Sequence, residues 1–127
     1  MAATEVALAW DGALRAGDWR AARALLADDA SYVSPEMPED IRVDCASPDD
    51  IVDLMRSWKG QMPDVLVVKW ETHDKQVLAR LRQPAWGDDA DWYQVLTVDS
   101  DRIVRLEDHP THESAMGAIR QARAASI

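Results

Sequence analysis

Phenylalanine is absent from this chain, cysteine occurs once, and no apolar stretch is long enough to cross a bilayer. The single cysteine, Cys45, excludes an intrachain disulfide and suits a reducing compartment. The first ten residues lack a basic region followed by an apolar run, so no signal peptide is expected. We therefore predict a cytoplasmic protein without a membrane segment.

Basic residues are also few, and they are scattered singly along the chain. Lysine and arginine together number 14 against 23 aspartates and glutamates, which gives a formal net charge of −9. A chain with this balance is repelled by phosphate backbones and by anionic membrane surfaces. Nucleic acids and membranes are therefore not expected partners.

The chain does contain enough apolar sequence for one hydrophobic core. Its 127 residues, with 47% hydrophobic and 29% charged residues, are typical of a single globular domain, which we assign to residues 1–127. The aromatic residues are six tryptophans and two tyrosines. Large rings with a polar tip suit the wall of a pocket, but they also fill ordinary cores.

Apolar residues at helical spacing predict four helices. The second helix should begin at Asp18 and end near Asp28. The third opens on Ser47, a good cap that is followed directly by proline, and this is a strong start signal. The last helix should follow Pro110.

Alternating apolar and polar residues predict strands in the rest of the chain. A short strand over residues 31–34 precedes a polar loop over residues 35–47, a length typical of a lid, a binding loop or a surface excursion. Four strands between residues 65 and 108 predict an antiparallel meander. The expected fold class is α+β, with a curved antiparallel sheet packed on three to four helices. Several strands are apolar on both faces, so the second face needs a cover, and a homodimer formed through the sheet would supply it.

Both ends of the chain carry a family resemblance. Residues 13–19 (ALRAGDW) and 25–30 (LLADDA) resemble the opening of SnoaL-like proteins and ketosteroid isomerases, and residues 101–109 resemble the last strand of that family. The chain is thus similar over nearly its whole length to nuclear-transport-factor-2-like, SnoaL-like proteins. The resemblance implies a cystatin-like cone with a pocket for a small apolar molecule. The fold occurs in isomerases, cyclases, dehydratases, hydrolases and non-enzymes. The resemblance therefore leaves open whether this chain is an enzyme and which reaction it would catalyse.

Matching the chain to ketosteroid isomerases residue by residue disfavours their reaction. Those enzymes use a tyrosine and a protonated aspartic acid to hold an enolate oxygen, and an aspartate to move the proton. The match places Trp10 at the tyrosine, Ser34 at the base and Tyr93 near the acid. Because serine cannot act as that base at neutral pH, this reaction is not expected.

Limonene epoxide hydrolase is similar at one further position. Asp108 falls where its last strand carries an aspartate that protonates the epoxide oxygen. The partners of that aspartate are an arginine and a second aspartate on an earlier strand. Here the corresponding strand offers Arg80 and Arg82 with Gln83 beyond, and the second carboxylate is missing.

Asp108 is the first candidate catalytic residue. Val104, Leu106 and Asp108 alternate along the predicted last strand, so an inward-facing row would place the carboxyl group at the end of an apolar cavity. Burial there would raise its pKa and allow it to transfer protons. The alternative is a strand-end carboxylate in water or one bonded to helix-start amides near Thr111.

His109 is the second candidate catalytic residue, as an acid–base partner of Asp108 or Glu107. The alternative is a solvated loop histidine. His109 and His112 flank a proline that splays their rings, and zinc needs three or four converging ligands, so neither a metal nor another cofactor is expected. Cys45 lies among acidic residues that raise its pKa, which disfavours a cysteine nucleophile.

Residues from both the helices and the sheet could line the cone. The predicted wall consists of Trp10, Tyr32, Leu54, Trp58, Trp70, Trp92 and Leu106. Ordinary core packing is the alternative for each of them. The sequence thus predicts a pocket protein for a small apolar molecule, either an isomerase, cyclase, dehydratase or hydrolase that uses Asp108 for proton transfer, or a non-catalytic ligand-binding or dimerising module.

Overall fold

The computed structural model describes residues 2–34 and 42–125. Its elements follow the order α1 (Ala3–Ala16), α2 (Trp19–Leu25), β1 (Leu26–Val33), α3 (Pro48–Gln61), β2 (Leu66–His73), β3 (Gln76–Arg82), β4 (Trp92–Asp99), β5 (Arg102–His109) and α4 (His112–Ala125). Two short 3₁₀ turns, Pro84–Trp86 and Asp88–Ala90, precede β4. The predicted order of elements is confirmed. Part of the predicted loop, residues 35–41, lies outside the described residues.

The helices begin and end where local chemistry favours it. The Asp18 side chain accepts a hydrogen bond from the backbone N–H of Ala21 at 3.1 Å, and Ser47 accepts one from the N–H of Asp50 at 3.2 Å. Gly17 ends α1 in the left-handed region, with φ of 68°. No helix within the described residues is both long enough and apolar enough to span a bilayer.

The five strands form one sheet in the order β1-β5-β4-β3-β2. The meander from β2 to β5 is antiparallel as predicted, but β1 runs parallel to β5. The sheet is therefore mixed: the predicted antiparallel pairing holds from β2 to β5, and β1 departs from it. No hairpin fixes the direction of β1, because α3 intervenes before the chain enters β2 at the far edge. β1 is also longer than predicted, so Asp28 lies within the strand instead of ending α2.

Register shifts bend the sheet around its helices. β1 shifts between Leu26 and Ser31, and β2 shifts between Val67 and Lys69. Such bulges increase the local bend and twist of a strand. The sheet is therefore curved, as the sequence predicted.

A third bulge changes which residues of β5 face inward. Thr97 pairs with Arg105 while Val98 pairs with Ile103, so Val104 is the extra residue. As a result Ile103, and not Val104, shares the inner face with Leu106 and precedes Asp108 in that row. The predicted row was wrong at this one position, because the alternation of two breaks at a bulge.

The sheet has helices on both faces. α1, α2 and α3 pack on the inner face, where Trp10, Tyr32 and Ile51 are among the largest fully enclosed side chains. On the outer face, Ile119 and its neighbour Ala115 on α4 pack against Leu78 of β3 and Val95 of β4; these residues form a second, smaller apolar cluster. α4 thus covers part of the face through which a homodimer was predicted, and the homodimer stays a prediction.

Candidate functional site

Asp108 lies on the inner face of β5 and is only 3% exposed. Tyr32 donates its hydroxyl hydrogen bond to Oδ2, and Gln94 Nε2 donates to Oδ1 at 3.0 Å. Burial raises the pKa of Asp108 to about 6, although the two hydrogen bonds and the charge of His109 oppose the rise. The carboxyl group can therefore gain or lose a proton close to neutral pH.

Parallel pairing of β1 with β5 brings Tyr32 to this carboxylate. Tyr32 lies opposite Leu106 in the sheet, two residues before Asp108. Its ring meets Trp58 of α3 edge to face, with ring centroids 5.7 Å apart. Burial, and after it the Asp108 carboxylate, raises the pKa of Tyr32 well above its ordinary value. The phenol therefore stays protonated and remains a hydrogen-bond donor.

Gln94 is a candidate site residue that could not be singled out from the sequence alone. It lies directly opposite Asp108 in the pairing of β4 with β5. The alternation of β4 carries a partial signal, because Gln94 interrupts an inward row otherwise made of Trp92, Leu96 and Val98. A polar residue in an apolar row indicates a buried partner or a ligand, because an unpaired buried amide is costly.

A cavity of about 110 Å³ opens beside Gln94. Its apolar wall comes from α1, α3, the segment after α3, and the sheet, and consists of Leu14, Met55, Trp58, Met62, Pro63, Val65, Leu66, Leu81 and Trp92. Gln94 belongs to the wall, whereas Asp108 lies behind it. Sites for drug-sized ligands measure about 300–1,000 Å³, so this cavity suits a molecule no larger than a single ring.

Charged side chains border the cavity on its solvent side. Arg15 Nε lies 3.1 Å from Asp11 Oδ2, and Lys59 Nζ donates to the backbone oxygen of Arg15 at 2.9 Å. Burial raises the pKa of Asp11, while the Arg15 guanidinium opposes the rise. The entrance is thus polar and the interior apolar, apart from Gln94.

The predicted wall residues are divided between the cavity and the solid core. Trp58 and Trp92 line the cavity. Trp10, Tyr32 and Leu106 are instead enclosed in the core, and Leu54 and Trp70 pack against it while partly exposed. Among the described residues, Trp10 Nε1 has no hydrogen-bond partner.

His109 faces the outer side of the sheet, so the two predicted catalytic residues point to opposite faces. His109 Nδ1 lies 2.7 Å from Ser114 Oγ, and Nε2 lies 3.8 Å from Glu107 Oε1. His109 and Arg105 hold the pKa of Glu107 below its ordinary value, although burial acts in the other direction. Glu107, His109 and Ser114 border an open groove of about 550 Å³ between β5 and α4.

The two arginines matched to limonene epoxide hydrolase are also turned away from the cavity. Leu78 belongs to the outer cluster and Ala79 to the inner one, so alternation places Arg80 and Arg82 on the outer face. Their guanidinium groups both bind Asp91, at 2.7 and 2.9 Å. The two arginines lower the pKa of Asp91 to about 2, and the hydrogen bonds from Arg82 lower it more than the one from Arg80. The match of these arginines to a catalytic arginine is therefore wrong.

Tyr93 and Ser34 likewise have structural surroundings. Tyr93 packs with the outer cluster, under the guanidinium group of Arg80. Ser34 Oγ donates to the backbone oxygen of Val43 at 3.1 Å and accepts from its N–H at 2.9 Å. Burial, then Asp50 and Asp44, raises the pKa of the Cys45 thiol. Within residues 2–34 and 42–125, no group of three or more His, Cys, Asp and Glu could hold a metal ion.

Solved structures similar to this chain share its fold. An LEH-like epoxide hydrolase from M. tuberculosis is 19% identical with a TM-score of 0.62, covering 86% of this chain and 78% of its own. A protein from Kribbella flavida assigned as a ketosteroid isomerase is 18% identical with a TM-score of 0.66, covering 87% and 78%. An NTF2-like protein of unknown function from Cytophaga hutchinsonii is 13% identical with a TM-score of 0.66, covering 91% and 96%. No protein-family model and no curated protein sequence matches this chain.

These likenesses confirm the predicted fold. The chain has the α+β fold of NTF2-like and SnoaL-like proteins, in which a curved sheet wraps around helices. Identities below 20% establish the fold alone, and a fold shared by hydrolases and isomerases does not fix an activity.

Proposed function

We propose that this protein binds a compact apolar molecule, about the size of one ring, in the cavity beside Gln94. The observation that carries the proposal is an apolar cavity whose wall includes one buried amide hydrogen-bonded to the buried carboxyl group of Asp108. A mostly apolar pocket with a few convergent polar groups and a perturbed pKa is the usual form of a small-molecule site. Similar structures include proteins named for reactions on small molecules, which supports the same conclusion.

Titration with phenol, a single-ring probe, tests this proposal. We expect phenol to shift the indole N–H signals of Trp58 and Trp92 in ¹H–¹⁵N NMR spectra, because both rings line the cavity. The signal of Trp19, which lies under Arg56 away from the cavity, serves as the internal control and should not move. Saturable shifts confined to Trp19, or no saturable shifts at any tryptophan, would contradict the proposal.

Filling the cavity should block this binding. Leu14 lines the cavity, and the Leu14→Trp variant places a larger ring inside it. Burying one aromatic ring contributes about 2 kcal/mol or more, so we expect phenol affinity to fall at least about 10-fold by the same titration.

Leu8→Trp is the matched control for this substitution. Leu8 lies on the same helix but is 49% exposed and outside the cavity wall. Its replacement by tryptophan should leave phenol affinity unchanged. Equal losses in the two variants, or none in Leu14→Trp, would place the binding elsewhere.

Proton transfer by Asp108 is a second candidate function. It is favoured by the pKa of about 6, which leaves this enclosed carboxyl group able to take up a proton at neutral pH. Gln94 lies between Asp108 Oδ1 and the cavity, so its amide has to move aside before a bound molecule meets the carboxylate. In this function Asp108 would remove a proton from carbon beside a carbonyl group and return it to the enolate.

A further inference from the structure

The amide of Gln94 has a fixed orientation. Its Nε2 atom donates to Asp108 Oδ1, while the other carboxylate oxygen accepts the Tyr32 hydroxyl hydrogen. An ionised carboxylate accepts hydrogen bonds and donates none, so only the NH₂ side of an amide can face it. Chemistry therefore decides which end of this amide meets Asp108.

The same contact directs the other end of the amide away from Asp108. Oxygen and nitrogen of a planar amide lie on opposite sides of its carbon, so Gln94 Oε1 points away from the carboxylate. Among the described residues, Oε1 has no hydrogen-bond partner. This oxygen is nevertheless not fully enclosed, and it keeps some accessible surface, although Gln94 as a whole is only 8% exposed. Gln94 lines the cavity, so the accessible surface of Oε1 belongs to a residue of the cavity wall.

We infer that Gln94 determines the ligand class of the cavity, by presenting Oε1 as a hydrogen-bond acceptor to a ligand that carries a hydroxyl or N–H group on its ring. Within the described part of the chain, the cavity lining holds one other side chain with oxygen acceptors, Asp11, and its carboxylate is paired with Arg15 on the solvent side. Asp108 is then a positioning residue, because it holds the amide and does not touch the ligand. This inference rests on the proposed binding function.

Three single-ring probes separate the possible contacts at pH 8. Phenol carries a donor, benzonitrile carries an acceptor only, and toluene has neither. Each dissociation constant is measured by NMR for the natural protein and for Gln94→Met, which keeps the side-chain length and removes the amide. The ratio of two probes' dissociation constants in the natural protein is divided by the same ratio in the variant. This division removes differences in probe hydration.

For each protein, the preference for phenol is the dissociation constant of toluene divided by that of phenol. We expect this preference to be about 3- to 10-fold larger in the natural protein than in Gln94→Met, because one hydrogen bond contributes about this much. The preference for benzonitrile over toluene should be no larger in the natural protein than in Gln94→Met. An equal phenol preference in both proteins, or a gain for benzonitrile, would overturn the inference. If no probe binds either protein saturably, the proposed binding function itself fails, and this outcome is distinct from a lost preference.

The Asp108→Asn variant tests the positioning role. Its side-chain NH₂ group can donate to Gln94 Oε1, which frees the Gln94 amide to turn its NH₂ toward the cavity. The phenol preference should then decrease and a benzonitrile preference should appear, while toluene affinity stays the same. An unchanged phenol preference in this variant, with toluene bound normally, would show that Asp108 does not orient the amide.

Discussion

The Asp108→Asn variant is expected to be more stable than the natural protein at pH 8, by about 3 kcal/mol in the free energy of unfolding. Burial raises the pKa of Asp108 from 3.8 to about 6, so the folded protein keeps a charge enclosed at pH 8 that the unfolded chain exposes to water. The difference between the two pKa values converts to free energy at about 1.4 kcal/mol for each pH unit. Asparagine occupies the same space without the charge.

The pH dependence follows from the direction of this pKa change. Between pH 3.8 and about 6 the folded state binds the Asp108 proton and the unfolded state has lost it. Stability therefore falls as the pH rises through this window, and it levels off above the folded pKa. The stabilising effect of protonated Asp108 is complete below pH 3.8 and is lost at neutral pH.

Urea unfolding of both proteins from pH 4 to pH 8 measures this effect. The difference between their unfolding free energies should be small near pH 4 and should grow to about 3 kcal/mol above pH 6. The matched control is Asp99→Asn, an exposed carboxylate at the end of β4, for which the difference should stay within about 0.5 kcal/mol at every pH. A difference that does not change with pH would show that Asp108 has an ordinary pKa.

If Asp108 transfers protons, the natural protein should catalyse hydrogen exchange at the carbon beside the carbonyl group of cyclopentanone in D₂O. The carboxylate takes a proton from this carbon to give the enolate, and after exchange with solvent it returns a deuteron. The catalysed rate should rise with pH through about 6, because only the ionised carboxylate acts as the base. ¹H NMR measures the loss of the ring hydrogens.

The Asp108→Asn variant should lower this exchange rate at least about 100-fold, the usual contribution of a general base. Asp99→Asn should retain the full rate. If Asp108→Asn exchanges as fast as the natural protein, or the catalysed rate does not depend on pH near 6, the proton-transfer function is wrong while ligand binding can still hold. A variant that is more stable but inactive would show that the enclosed charge is kept for function at the expense of stability.

Much of the fold could be predicted because local signals and the hydrophobic pattern agree. Ser47 begins α3 and Gly17 ends α1 in the way that their chemistry favours. The direction of β1 could not be predicted, since it depends on where the chain returns after α3. The bulge at Val104 also left no signal, and it changed which residue of β5 faces inward.

The candidate site was only partly predictable for a related reason. Asp108 could be placed inward from alternation on β5, but its partners lie on other strands and depend on register. Tyr32 reaches Asp108 because β1 pairs with β5, and Gln94 does so because it lies opposite on β4. Arg80 and Arg82 were matched to a catalytic role by position alone, and Asp91 binds them on the other face.

Intermolecular nuclear Overhauser effects from bound phenol would locate the ligand within the protein. If phenol binds beside Gln94, its ring hydrogens should give contacts to the side chains of Trp58, Trp92 and Leu81, which come from α3 and the sheet on opposite sides of the cavity. Contacts confined to Ser114 and Gln121 in the groove beside α4, or no contacts under conditions where phenol is bound, would contradict this placement of the ligand.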